Sequence, residues 1–276
     1  MSSMINIIIP KGIGHHDSVD VTKLPDPVPR GVFKPIHLPN GNSTPITFDL
    51  ETTDLIRDGN FPHITQIAAM ELETSQSFNR YVLPKQPIAV TAQQVTGISL
   101  SCNEMTVNGH IVEPSSVTTA LNDFCTWLEK FNNVILVAHN GRRFDVPVII
   151  SAINNVKLQE RFFKCVSGCT DSLSVFRKQY PGRSSYKQID LVHDILGATY
   201  GAHDATEDVR ALGHLLKHSA SHQTVLPFSF SPEAVYKNQI YNREKSKNFP
   251  SVSVLVSSGI CKLNIAENIA GSGLNL

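Results

Sequence analysis

The sequence predicts a layered α/β domain, and three observations carry that prediction. Ile46 to Glu51 alternates apolar and polar residues, the period of a strand with one face in a core. Val134 to Ala138 is a short continuous apolar run, as in a strand buried on both faces. Ala205 to His218 carries an apolar stripe at helical spacing. Strands come first, then strands and helices alternate, and that order builds helices onto a sheet.

The 276 residues suit one large domain with appendages or two small domains, and can bury a sizeable core without staples. Lys+Arg 24 balances Asp+Glu 24, which argues against coating nucleic acid or an anionic membrane through bulk charge and leaves room for a local basic groove. Five cysteines, an odd number and widely scattered, argue against a secreted disulfide scaffold. The expected setting is intracellular, in nucleus or cytoplasm. Ile5 to Ile9 is too short for a signal-peptide core and no run approaches a membrane span, so a soluble chain with no membrane partner is expected. The oligomeric state is not readable, and a homodimer stays open.

In chain order, Pro10 to Pro45 has the composition of a linker or loosely draped arm, and its His15-His16 pair, without Cys or carboxylate partners at ligand spacing, reads as solvated. Ile64 to Leu72 and Ser77 to Leu83 read as strands in an antiparallel ladder with the first. After Pro87 the chain reads as irregular. Val117 to Lys130 has apolar residues at 117, 121, 124, 125 and 128, a helical stripe. A helix is expected from about Asp145, with Pro147 in its first turn, where a missing N–H does no harm. Lys164 to Cys169 reads as a strand, and Ser172 to Gln179 and Gln188 to Leu196 as helices. Phe228 to Lys247, polar with scattered aromatics, yields no element; Ile260 to Ile269 reads as a helix closed by Gly271. Arg243 to Lys247, interrupted by Glu244, reads as a solvated face. These assignments divide the chain into an extension over 1–43, a domain over 44–218 and a second extension over 219–276.

Several acids sit where structure alone does not call for them. Asp49 and Glu51, two apart on a strand, project to one face about 7 Å apart at roughly 3.4 Å per residue, within reach of one cation. Asp208 shares its helical stripe with Ala211, Leu212 and Leu215, and a carboxylate turned into a core costs several kcal/mol unless paired or bound to metal. A salt bridge to a nearby Arg is the alternative for Asp208. Acids at Asp204 and Glu207 suit a helix dipole. Asp145 follows a buried strand and the loop His139 to Arg143, and a helix N-cap is its alternative role. Clustered at the ends of elements, four such acids repel one another and a divalent cation offsets the repulsion. Oxygen-only ligation favours Mg²⁺ or Mn²⁺ over zinc.

Phe48-Asp49-Leu50-Glu51-Thr52-Thr53, Ala138-His139-Asn140-Gly141-Arg142-Arg143-Phe144-Asp145 and His203-Asp204-Ala205-Thr206-Glu207-Asp208 resemble, in order, the three motifs of the DEDDh (DnaQ-like) 3′→5′ exonucleases. Ile64 to Ala68, Gln94 to Ser99 and Asp171-Ser172-Leu173 resemble the family's second strand, substrate loop and inter-motif turn. The resemblance spans Thr44 to His218. His203 stands five residues before Asp208, as in the His branch; the Tyr branch has a tyrosine four before, where this chain has Asp204. Val137 to Gly141 resembles the three-prime repair exonucleases, and Ile265 to Leu274 the exonuclease-like domain that ends the longest promyelocytic leukaemia protein isoform.

The resemblance implies a ribonuclease H-like mixed sheet flanked by helices, with N- and C-terminal extensions, and a metal-dependent exonuclease acting on DNA 3′ ends, with RNA or a silent interaction module as alternatives. Asp49, Glu51, Asp145 and Asp208 would hold two Mg²⁺ or Mn²⁺ ions, and His203 would take a proton from the attacking water. The backbone of Leu50, Thr52 and Thr53, with Leu55 as a wedge, would seat the last nucleotide beside Thr96 of the substrate loop. His139 and Asn140 would orient their loop, and Arg142, Arg143, Lys187 and Arg57 are candidate phosphate contacts.

Overall fold

A computed structural model describes residues 26–38, 42–102, 104–219 and 222–276. Ile5 to Ile9, His15-His16 and the first part of the Pro10 to Pro45 segment lie outside the described residues. The chain opens with β1 (Thr44–Thr52), β2 (Ile64–Glu71) and β3 (Ser77–Tyr81), then α1 (Val90–Thr96), a hairpin sheet of β4 (Ile98–Ser101), β5 (Glu104–Val107) and β6 (His110–Val112), and α2 (Val117–Leu128). It continues through β7 (Val134–Ala138), α3 (Asp145–Asn155), α4 (Gln159–Cys165), β8 (Val166–Asp171), α5 (Ser172–Gln179), α6 (Gln188–Leu191) and α7 (Ala205–Ser219). The last elements are α8 (His222–Val225), β9 (Ser229–Phe230), α9 (Pro232–Ser257) and α10 (Leu263–Gly271).

The main sheet runs in the order β3-β2-β1-β7-β8-β9. β1 is antiparallel to β2, from Ile46 opposite Glu71 to Thr52 opposite Ile64, and parallel to β7, from Thr44 opposite Val134 to Thr47 opposite Val137. Alternation along β1 separates its faces. Ile46, Phe48 and Leu50 enter a core with Leu121 and Phe124 of α2 and Ile149 and Ile150 of α3. The opposite face of the sheet, with Ala68 and Met70 of β2 and Ile135 and Val137 of β7, packs on Leu212, Leu215 and Leu216 of α7. The Thr47 hydroxyl donates to the Val209 carbonyl at 2.9 Å and locks that helix to β1. The expected mixed sheet flanked by helices is the observed architecture.

Six local expectations are corrected, four of them in the span and type of elements. The segment after Pro87 is ordered: β4 to β6 form a three-stranded sheet with its own small core of Ile88, Ile98 and Met105. Its second turn is Asn108-Gly109, with φ of 50° and 82° at the two residues, the left-handed pair that a tight hairpin requires. The strand placed at Lys164 to Cys169 begins at Val166 and runs to Asp171, because Phe162 is fully buried on a helix that ends at Cys165. The helix read over Gln188 to Leu196 is α-helical only to Leu191 and closes as a π turn at Val192–Leu196. Phe228 to Lys247 lies largely in α9, a helix of 26 residues. Ser231 caps it by accepting the Glu233 N–H at 3.1 Å and Pro232 starts it; Ala234, Tyr241, Asn248 and Val252 share one buried face, but that face holds the polar Asn248 and the helix holds Pro250, so the apolar period is weak.

Helix α10 is held on α9 by the buried Asn248 amide, which donates to the Ala270 carbonyl at 3.1 Å. Gly271 does not close α10 as a left-handed cap: it lies in the last turn, where a Cβ would come within 2.3 Å of the Tyr241 ring. Residues 26–38 have no regular structure but are docked, not loosely draped. Val28 N–H donates to Ser272 O at 2.9 Å, Ile36 N–H donates to Ser229 Oγ at 3.0 Å, and Phe33 meets Phe230 edge-on at 5.6 Å. Among the described residues no helix is long and apolar enough to cross a membrane.

The arm approaches α9 closely only because residue 31 is glycine: a Cβ there would lie 1.9 Å from the Ala234 carbonyl oxygen. Gly31→Ala should therefore cost about 1–3 kcal/mol, the usual range for overpacking, and lower the melting temperature by about 2–4 °C for each kcal/mol. An unchanged melting curve would show that the arm contributes nothing to stability.

Candidate active site

The site lies where β1 outruns its parallel neighbour. Pairing of β1 with β7 ends at Thr47, and the chain leaves β1 towards β2 and β7 towards β8, so a crevice opens at the strand ends. In that gap the Leu50 N–H has no strand partner on the β7 side and is taken by the Asp145 Oδ1 at 3.3 Å. Asp145 is the first residue of α3 and is buried; the residue at the cap position is Phe144, so the N-cap alternative does not apply. A shift in the β1–β2 register between Glu51 and Thr52 marks where β1 bends away beyond the acids.

Asp49 and Glu51 share the β1 face that looks to α7, and Asp208 comes down from the first turn of that helix. Their carboxylate oxygens lie within 4.8 Å of one another. The helix start is held to the sheet by Gln66 of β2, the ladder partner of Glu51, whose Oε1 accepts the Ala205 N–H at 3.3 Å and whose amide reaches Asp204 Oδ1 at 3.3 Å. Asp204 caps the helix by accepting the Thr206 N–H at 2.8 Å.

Among the described residues Asp208 has no salt-bridge partner. Oδ1 accepts from the Tyr200 hydroxyl at 2.8 Å and the Gln188 amide at 3.1 Å, while Oδ2 accepts the His203 backbone N–H at 2.8 Å. The nearest-in-sequence arginine, Arg210, pairs instead with Glu207 at 2.7 Å. His203 has a φ of 71°, a costly conformation for a residue with a Cβ, which directs its N–H to Asp208 while leaving the imidazole exposed at the rim.

The four acids hold their protons tightly. Burial, reinforced by the charges of Asp208, Asp145 and Asp204, pushes Glu51 up to about 9. Burial, opposed by backbone N–H donors and reinforced by Asp171 and Asp208, pushes Asp145 up to about 7. Asp49 is raised well above the ordinary carboxylate range by burial and then by Asp145, Asp208 and Glu51. Burial also raises Asp208, against the hydrogen bonds from Tyr200 and His203. Desolvation and like charge act together here, as they do where carboxylates share a cation site. The donor set is all oxygen, which fits Mg²⁺ or Mn²⁺.

The other expected residues fall into two groups. Leu55, Asn140, Arg143 and Lys187 are exposed around the crevice. The rest are engaged by the protein. Leu50 is buried in the core, Thr53 is buried with its hydroxyl oxygen accepting the His63 N–H at 3.0 Å, and the Thr52 hydroxyl donates to Asp54 O at 2.7 Å. The Thr96 hydroxyl donates to Ala92 O at 2.9 Å and accepts the Ile98 N–H at 3.1 Å, closing α1 onto β4. His139, kept neutral by burial, sits between Ser172 Oγ at 3.0 Å and the Tyr186 carbonyl at 2.8 Å, so its Nε2 donates and its Nδ1 accepts. Arg142 lies over the rings of Phe33 at 4.3 Å and Phe230 at 5.8 Å, and Arg57 pairs with Asp54 at 3.0 Å.

Sequence reasoning missed Tyr200, Gln188 and Gln66. It took Asp171 only as part of a turn. This buried residue caps α5 through the Leu173 N–H at 3.0 Å and accepts the Arg142 N–H at 3.4 Å. Tyr200, three residues before His203, offered a weak signal; Gln66 lay in the Ile64 to Ala68 segment that resembles the family's second strand but was given no role of its own, and Gln188 offered none.

Comparisons with known proteins agree on the fold. The Drosophila melanogaster maternal protein exuperantia is 27% identical over 155 residues, 51% of this chain and 28% of that protein. Its Drosophila virilis counterpart is 26% identical over 176 residues, 58% of this chain and 35% of that protein. The match thus spans about a third or less of those relatives. Among solved structures, E. coli Exonuclease I in complex with a dA16 oligonucleotide superposes with a TM-score of 0.51 at 17% identity, covering 78% of this chain and 46% of that one. The same enzyme with a dT13 oligonucleotide gives 0.50 at 19% identity, covering 64% and 40%. The shared architecture is the RNase H-like fold. The model of the Exuperantia RNAse H-like domain matches residues 46–195, a span that holds Asp49, Glu51 and Asp145 and ends before His203 and Asp208. More than half of the chain lies in that match, and the chain belongs to the Exuperantia RNAse H-like domain family.

Proposed function

We propose that the chain is a metal-dependent 3′→5′ exonuclease of the DEDDh type, acting on DNA 3′ ends and releasing nucleoside 5′-monophosphates. The observation that carries the reading is the convergence of Asp49, Glu51 and Asp208 within 4.8 Å, with Asp145 beside them, in a pocket that raises the proton affinity of all four. A binding module needs no such arrangement, because uncompensated like charges destabilise the fold that holds them. The similarity to Exonuclease I solved with oligonucleotides supports nucleic acid as the ligand class.

In this reading Asp49, Glu51, Asp145 and Asp208 hold the cations, and Asp145, tied to Leu50 N–H, keeps β1 and α3 in register while it does so. Divalent cations held by Asp49, Glu51, Asp145 and Asp208 would supply charge neutralisation for hydrolysis of the terminal phosphodiester. His203, exposed on the rim, accepts the proton of the attacking water. The Leu50 to Thr53 backbone seats the terminal nucleotide, and Leu55, 63% exposed, is the wedge under its base. Arg143 and Lys187 meet the phosphates, and Asn140 orients its loop. Arg142, stacked on Phe33, instead fixes the loop that carries Asp145.

End-labelled DNA and RNA oligomers incubated with Mg²⁺ or chelator test the proposal. Expected are 5′-mononucleotides from DNA, resistance of a 3′-phosphorylated end, loss of most activity in Asp145→Asn, and a rate loss of about 10²–10⁴ in His203→Ala, the usual share of a general base. Release from RNA alone would change the substrate class. No release from either would identify a nuclease-shaped interaction module.

The raised carboxyls also fix a pH dependence. Each binds its proton more tightly in the folded chain than in the unfolded one, so their contribution to stability is full below the ordinary carboxylate pKa of roughly 4 and is lost as pH rises through the folded values, about 7 for Asp145 and about 9 for Glu51. Melting temperature in chelator should therefore fall between pH 5.5 and 9. Asp208→Asn should flatten the slope, and excess Mn²⁺ should remove it. A metal-free melting temperature that rises across that range would contradict the account.

A further inference from the structure

Tyr200 lies in the loop between the π turn and α7, off every motif that carries the exonuclease resemblance. Its phenol is half-buried, and its hydroxyl donates to Asp208 Oδ1 at 2.8 Å. Gln188, at the start of α6, directs its Nε2 at three acceptors: the Tyr200 hydroxyl at 3.1 Å, Asp208 Oδ1 at 3.1 Å and the Asp208 carbonyl at 2.9 Å. The Tyr200 oxygen is thereby an acceptor for Gln188, which leaves its single proton for Asp208.

The acceptor count at Asp208 then becomes specific. A carboxylate has about four lone-pair sites, two on each oxygen. On Oδ1 one is used by Tyr200 and the other by a Gln188 proton shared with the Tyr200 oxygen, since the amide has two protons for its three acceptors. On Oδ2 one is used, by the His203 N–H, and one remains. A carboxylate on a helix rotates freely about its terminal torsion unless something holds it, and here three donors from two separate segments, the start of α6 and the loop before α7, do so.

We infer that Tyr200, supported by Gln188, is a positioning residue that holds Asp208 with Oδ2 free to ligate a cation shared with Asp49 and Glu51. This rests on the proposed reading of the acids as a cation site. The alternative, that Tyr200 is only a packing residue beside the α7 core, makes its ring matter and its hydroxyl dispensable. Partners that orient a metal ligand are typically worth about 10- to 100-fold in metal affinity.

The test uses the full chain and Mn²⁺ alone as probe, reading the melting temperature as a function of Mn²⁺ concentration for wild type, Tyr200→Phe, Gln188→Ala and Asp208→Asn. The expected result is a half-saturating Mn²⁺ concentration raised about 10-fold or more in Tyr200→Phe, a smaller rise in Gln188→Ala, and no saturable response in Asp208→Asn. A Tyr200→Phe chain that titrates as wild type, whether or not its melting point in chelator has fallen, overturns the positioning role while leaving the cation site standing. A wild-type chain with no Mn²⁺ response overturns both.

Discussion

Four carboxylates crowded at the end of one strand repel one another and are poorly solvated, and the rest of the domain is arranged so that they cannot move apart. Asp49 and Glu51 are fixed by the strand period, which places them on one face of β1 while Ile46, Phe48 and Leu50 anchor the other in the core. Asp208 is fixed because α7 is fastened to that same strand through Thr47, and to β2 through Gln66. Asp145 is fixed because its oxygen supplies the partner that Leu50 N–H lacks where β7 stops. The acids cannot relax without breaking a backbone hydrogen bond or unseating a helix.

The segments outside the family match contribute to the same rigidity. The arm at 26–38 crosses α9 and α10 and ends against β9, and Arg142, two residues after Asn140 in the loop that delivers Asp145, is stacked on its Phe33. The last helices and the arm therefore brace one wall of the crevice. On the opposite wall the loop from Gly197 to Asp204 combines a tyrosine, a strained histidine and a helix cap, all within reach of Asp208.

Much of this was legible in the sequence because it is periodic or spaced. The alternation of β1, the apolar run of β7 and the stripe of α7 each carry enough signal to place Asp49, Glu51, Asp145 and Asp208 at the ends of elements. Helix α9 was illegible for the opposite reason: its buried face, Ala234, Tyr241, Asn248 and Val252, includes a polar Asn, and Pro250 sits inside the helix, so no clean apolar period survives. The β5–β6 hairpin was overlooked although Asn108-Gly109 between two short strands is a strong local signal. Arg142 and Arg57 read as surface charges available to phosphate; only tertiary structure places the first over two aromatic rings, whereas the second is taken by Asp54, three residues before it. The bridging roles of Gln188 and Gln66 were invisible, because a glutamine that joins distant backbone and side-chain groups leaves no trace in local pattern.

The central claim is that the fold holds these acids in a state relieved only when cations replace protons. Calorimetric titration of the metal-free chain with Mn²⁺ at pH 7.5, in two buffers of different ionisation enthalpy, counts the protons that leave as the ion enters. The account predicts saturable binding with net proton release, because Glu51, pushed up to about 9, is still protonated at that pH. Binding with no proton release, or no binding, would contradict it.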